Sequence, residues 1–94
     1  MYSNVSICDF KNQLRQGIEL IDIRNSTSYR IGNIPYSKNI SKNELMFETS
    51  DYLDKSKQYY IYCERGIQSQ SLCEYLSSAG YNVVNLVGGY QNYK

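Results

Sequence analysis

Three short apolar runs, at residues 18–23, 59–62 and 81–86, are each followed by turn-forming residues and then by a helix signal. Runs of this length suit buried strands, and helices placed between successive strands act as crossovers that leave those strands parallel. The alternation therefore predicts an α/β sandwich around a mostly parallel sheet. Ser6 can cap a first helix whose apolar positions Ile7, Phe10 and Leu14 repeat at helical spacing, and Gly17 can end it. Asn25 and Ser26 offer a cap for a short helical turn through Tyr29. Gly32-Asn33-Ile34-Pro35 reads as a turn, because proline steers the preceding residue away from helix. Residues 38–40 fit a short strand, Ser41 can cap a helix to about Phe47, and the polar stretch 51–57 reads as a loop or weak helical turn. Leu72, Cys73, Leu76 and Ala79 form one apolar helical face that opens near Ser69, with Gly80 as its C-terminal cap. Gly88-Gly89 turns the chain toward a short terminal helix from Tyr90. With no internal repeat, low-complexity tract or linker, residues 1–94 read as one domain.

Composition removes several classes of function. The formal net charge is +1, and the basic residues are scattered, with Lys55 and Lys57 the nearest approach to a basic run. Eleven tyrosines could stack bases, but only beside a positively charged groove, which the sequence does not supply, so no nucleic-acid partner is expected. No apolar stretch approaches bilayer length, and Met1 is not followed by a basic-then-apolar leader; neither a membrane nor secretion is expected. Three cysteines, Cys8, Cys63 and Cys73, make an odd set without disulfide-scaffold spacing, which fits free thiols in a reducing cytoplasm. The absence of histidine removes Cys-His and Ser-His hydrolysis and most zinc sites. No metal and no cofactor are expected.

The chemistry concentrates at Tyr60-Ile61-Tyr62-Cys63-Glu64-Arg65-Gly66-Ile67-Gln68-Ser69. An apolar run ends in a cysteine, a loop with one glycine follows, and a helix pattern begins. A thiol at that position faces converging backbone amides, which stabilise negative charge, and the thiolate is the reactive form of cysteine. With no imidazole in the chain, loop amides and a helix terminus are the only means of activating Cys63. A buried, inert strand-end cysteine is the alternative, since cysteine is among the most buried residue types.

Four segments carry a family resemblance, in register along nearly the whole chain. Leu20-Ile21-Asp22-Ile23-Arg24 resembles a strand with a D-x-R ending. Ser28-Tyr29-Arg30-Ile31-Gly32-Asn33-Ile34-Pro35, with Asn39-Ile40, resembles E-Y-x-x-G-H-I-P-G-A-x-N-I. Tyr60-Ile61-Tyr62-Cys63 through Ser69 resembles the loop Y-C-x-x-G-x-R-S, and Gly80-Tyr81 to Gly88-Gly89-Tyr90 resembles G-[FY]-x-x-V-x-x-L-x-G-G. Together they resemble a single-domain rhodanese-like protein. The resemblance implies a three-layer α/β/α domain in which Cys63 accepts sulfane sulfur and holds it as a persulfide. It implies a substrate-binding loop of Glu64, Arg65, Gly66, Ile67, Gln68 and Ser69. It also implies an anionic sulfur donor, thiosulfate or another persulfide, and a thiol acceptor such as a sulfur-carrier protein or low-molecular-weight thiol. In the family a six-residue loop suits sulfur and a longer one phosphate; counting Cys63 through Gln68 gives the shorter form, so sulfur transfer is favoured over a small cysteine phosphatase or arsenate reductase.

Some residues depart from the pattern. Gln68 stands where the family commonly has arginine, and Glu64 where it often has a basic residue, leaving Arg65 as the only cation of the loop. A missing charge-assisted contact costs about 1.5–3 kcal/mol, one to two orders of magnitude in rate or affinity. Thiosulfate is therefore expected to be a poor donor, a protein or small-molecule persulfide the better one, and a non-catalytic binding or sulfur-delivery module the rival reading. Asn33 replaces the family's histidine and Tyr93 sits near a usual tryptophan; both read as packing or turn positions. Asp22 and Arg24 can reach the loop from a neighbouring strand end or fasten the following turn as an ion pair. Ser69 reads as a helix cap whose hydroxyl can also bond the sulfur, Cys73 as core, and Cys8 as a partly exposed, inert thiol.

Overall fold

The computed structural model describes residues 2–94, and the leader reading at Met1 lies outside them. Among the described residues five strands form one sheet: β1 (Ser3–Ser6), β2 (Leu20–Asp22), β3 (Lys38–Asn39), β4 (Gln58–Tyr62) and β5 (Asn82–Val87). Their order is β1-β5-β4-β2-β3, and every neighbouring pair is parallel. Between and after them lie α1 (Ile7–Phe10), α2 (Ser26–Ile31), α3 (Lys42–Phe47), α4 (Thr49–Tyr52), α5 (Ile67–Ser78) and α6 (Gly89–Tyr93).

Strand alternation divides the core into two clusters. On β4, Tyr59 and Ile61 pack with Leu45, Leu53, Leu72, Cys73 and Leu76 from α3, α5 and the segment after α4. Tyr62 faces the other way, with Ile7 and Phe10 of α1, Ile34 and Leu86. Side chains two residues apart share a face, so Cys63 continues the row of Tyr59 and Ile61 and turns its thiol toward α5. The outcome is the parallel α/β arrangement expected from the alternating pattern, in the three layers that the family resemblance implies.

The elements depart from expectation in four places. β1 was not foreseen, because Ser3-Asn4-Val5-Ser6 is polar apart from one valine; its partner β5 supplies the ladder, from Ser3 opposite Val84 to Ser6 opposite Val87. The first helix does not reach Gly17: it closes at Phe10 and tightens into a 3-10 turn at Lys11–Gln13, once Ile7 and Phe10 are buried. The stretch 51–57, read as a loop or weak helical turn, opens on the end of α4, which starts earlier, at Thr49, and is tied to α3 through the Tyr52 hydroxyl, which donates to Glu44 Oε2 at 2.8 Å. Finally, Ser69 does not cap α5. The helix starts at Ile67 after Gly66 at φ +91°, so Ser69 lies inside the first turn. Among the described residues no helix is long and apolar enough to cross a membrane.

Candidate active site

Cys63 leaves the C-terminal end of β4 buried, 5% exposed, and its Sγ sits at the start of α5. The backbone N–H of Gly66 donates to Sγ at 3.1 Å and that of Ser69 at 3.3 Å. The thiol in turn donates to Ser69 Oγ at 3.4 Å. Two amides and the positive end of a twelve-residue helix thus converge on one sulfur, an arrangement that favours negative charge there.

The loop is shaped from behind by α6. The Tyr90 amide donates to Cys63 O at 2.9 Å and the Gln91 amide to Glu64 O at 3.0 Å. A trans peptide points its N–H opposite its C=O, so tying these two carbonyls to α6 turns the Glu64 and Arg65 amides away from that helix. Such close approach needs glycine on both sides. A Cβ on Gly66, whose φ is +91°, would stand 2.9 Å from Gly88 N, and one on Gly89 would stand 2.5 Å from Glu64 O.

Behind the sulfur runs a buried polar chain. Ser69, fully buried, donates its hydroxyl to Asn85 Oδ1 at 2.6 Å, and Asn85 Nδ2 donates to Asn4 Oδ1 at 3.2 Å. The Ser69 hydroxyl has one proton, and in this geometry it serves Asn85 while the oxygen accepts from Cys63.

Arg24 is the hub of the opposite wall. Its guanidinium holds buried Asp22 through Nη2 to Oδ2 at 2.8 Å and Nε to Oδ1 and Oδ2, donates to Gly32 O at 2.5 Å, and reaches Glu64 Oε1 at 3.3 Å. The cation also lies 4.1 Å from the Tyr90 ring centre. Burial opposes its charge, but the hydrogen bonds and charge of Asp22 outweigh that and raise the Arg24 pKa. The ion pair thus fastens the turn after α2 and also touches the loop.

Glu64 is exposed and pairs with Arg24, so its charge is partly countered. Arg65 is exposed and makes no hydrogen bond or ion pair among the described residues. Gln68 Oε1 accepts from Lys42 Nζ at 3.0 Å. Ile23, Arg24, Asn25, Ser28, Lys42, Cys63, Glu64 and Gln68 together line a cleft of about 270 Å³. A neighbouring hollow of about 240 Å³ adds Arg65 and Ile67 to the rim.

Residues 7–94 match the model of the rhodanese-like domain. The chain belongs to the rhodanese-like family. It is 33% identical over 81 residues to the thiosulfate sulfurtransferase GlpE of Coxiella burnetii, covering 85% of this chain and 75% of that protein. A rhodanese-like domain protein from Staphylococcus aureus superposes with a TM-score of 0.88 at 26% identity, over 98% of this chain and 91% of the other. SSP1007 of Staphylococcus saprophyticus gives 0.86 at 26% identity, over 100% and 94%.

The rhodanese-like fold brings the loop residues, Asp22 and Arg24 into one neighbourhood. The other cysteines lie apart from the cleft lining. Cys73 is buried on the α5 face, and burial, with a contribution from Cys63, pushes its thiol up to about 12. Cys8 is exposed, with its Sγ 3.8 Å from Asn92 O. Sequence reasoning missed Asn85 and Lys42. Asn85 had a signal, a polar residue inside the apolar run Val83-Val84-Asn85-Leu86, where burial demands a partner. Lys42 had none, since only the folded chain sets α3 against the loop.

Proposed function

We propose that this rhodanese-like domain is a sulfurtransferase in which Cys63 carries sulfane sulfur as a persulfide. The observation that carries the reading is the pair of amides, from Gly66 and Ser69, aimed at Cys63 Sγ at the mouth of α5. In the loading step the Cys63 thiolate attacks the outer sulfur of a donor. With thiosulfate the donor S–S bond breaks, sulfite leaves with the bonding electrons, and Cys63 is left as S–S⁻. With a persulfide donor the leaving group is the donor's thiolate. In the unloading step an acceptor thiolate, or cyanide, attacks the outer sulfur, and Cys63 departs as thiolate, held by the same amides. Splitting transfer into two displacements makes a ping-pong scheme. No proton need be supplied by a histidine, because each leaving group departs as an anion.

The six-residue span from Cys63 through Gln68 supports sulfur over the larger phosphoryl group. The rim supports a protein or thiol partner: Ile67 is 68% and Ile31 84% exposed, and each shares a hollow with Glu64 beside the cleft. The three free cysteines suit a reducing compartment.

The test is to incubate the protein with thiosulfate and, separately, with a low-molecular-weight persulfide, then to record intact mass and the thiocyanate released by cyanide. One added sulfur on Cys63, absent from Cys63→Ser, is expected. No sulfur from either donor, with the variant indistinguishable from the parent protein, refutes the reading. Hydrolysis of an aryl phosphate that Cys63→Ser abolishes would point instead to phosphatase chemistry.

A further inference from the structure

We infer that Lys42 is the residue that selects for anionic donors at the Cys63 cleft, a step that deepens the sulfurtransferase reading and rests on it. The fixed charges around the cleft lead to this. Arg24 is almost wholly engaged: its side chain is 7% exposed and is shared between Asp22, Glu64 and the Gly32 carbonyl. Those two carboxylates outnumber it by one charge, so that cluster alone opposes an incoming anion. Arg65 is exposed and nothing among the described residues holds it over the thiol. Lys42 differs from both. It stands at the first position of α3, half-buried, and its ammonium bridges to the loop helix, 3.0 Å from Gln68 Oε1 and 3.1 Å from Ser71 Oγ.

Both acceptors are neutral, and among the described residues Lys42 forms no ion pair. Its full charge is therefore available. An ammonium has three N–H donors, and two are used, so one remains for a ligand. The neutral partners hold the ammonium in place without cancelling it. Gln68 and Lys42 line the same cleft as Cys63, so the positive charge that the loop itself lacks at position 68 is delivered from α3 across the mouth. The ligand class is a small anion carrying a sulfane sulfur, with a dianion favoured over a monoanion.

The experiment separates this role from turnover. In a Cys8→Ser background, the second-order rate of Cys63 alkylation is measured by intact mass with iodoacetate, an anion, and with iodoacetamide, its neutral counterpart. Lys42→Met should lower the iodoacetate-to-iodoacetamide rate ratio about threefold, the scale of one partly exposed charge pair. For a dianion the same effect applies twice, so KM for thiosulfate should rise about ninefold with kcat little changed. Lys42→Arg should keep the ratio, Gln68→Arg added to Lys42→Met should restore it, and high salt should erase the difference between Lys42→Met and its parent. A rate ratio unchanged in Lys42→Met, with thermal unfolding like the parent, overturns the inference even if sulfur still loads onto Cys63. A Lys42-dependent ratio in a protein that loads no sulfur upholds the anion site and overturns the sulfurtransferase reading alone.

Discussion

Removing the Ser69 hydroxyl should cost stability far more than its size suggests. Ser69→Ala deletes the donor that Asn85 Oδ1 receives at 2.6 Å, in a place where Ser69 is fully buried and Asn85 is 2% exposed. Asn85 cannot turn its amide over to compensate, because its Nδ2 is committed to Asn4 Oδ1. A buried acceptor left without a donor costs about 1–3 kcal/mol. For a domain of this size about 2 kcal/mol lowers Tm by roughly 8–16 °C. Asn85→Leu should cost less, since the Ser69 hydroxyl can then rotate its proton toward Cys63 Sγ, 3.4 Å away. In the double variant Ser69→Ala/Asn85→Leu both polar atoms vanish together, and most of the loss should return. Urea and thermal unfolding followed by circular dichroism give the four corners of the cycle. A Ser69→Ala change within about 0.5 kcal/mol of the parent, or a double variant no better than the sum of the singles, would refute the role of the buried polar chain.

Two further outcomes follow from the backbone and from burial. Tyr36 stands where the family segment has glycine, yet it adopts φ +73°; relief of about 1–2 kcal/mol of left-handed strain against about 0.5–1 kcal/mol of glycine entropy predicts that Tyr36→Gly stabilises by about 0.5–1 kcal/mol in urea unfolding, and destabilisation would contradict it. Cys73 is pushed by burial from 9.0 to about 12. The unfolded chain therefore loses this proton first as pH rises, so the stability that Cys73 contributes is complete below about pH 9 and falls away toward pH 12. Urea midpoints measured from pH 8 upward should decline less in Cys73→Ala than in the parent, and equal slopes would exclude Cys73 as the cause.

The architecture was legible because each buried strand announced itself as an apolar run and each helix by its spacing or cap. Ser41 is the clearest case: the expected cap accepts from Glu44 N, and Glu44 returns the bond to Ser41 N. What could not be read was whatever another segment supplies. β1 owes its ladder to β5 rather than to its own polar residues. The boundary of α5 was misplaced because Ser69 is a good capping residue by type, whereas Gly66 wins the position through its left-handed backbone. The loop itself was visible residue by residue, but its charge balance was not: Glu64 finds Arg24 and Gln68 finds Lys42, partners 40 and 26 residues away.

Sequence distance has a further consequence for the cradle. Glu64 O rests on Gln91 N, Ser69 rests on Asn85, and Asn85 rests on Asn4, 81 residues from it in the chain. The local hydrogen bonds from the Gly66 and Ser69 amides to Cys63 Sγ are thus backed by partners from distant segments. Each of these backing contacts must wait for a longer chain closure, which is entropically slow. The cradle around the thiol is therefore fully backed only when both ends of the chain have joined the same sheet.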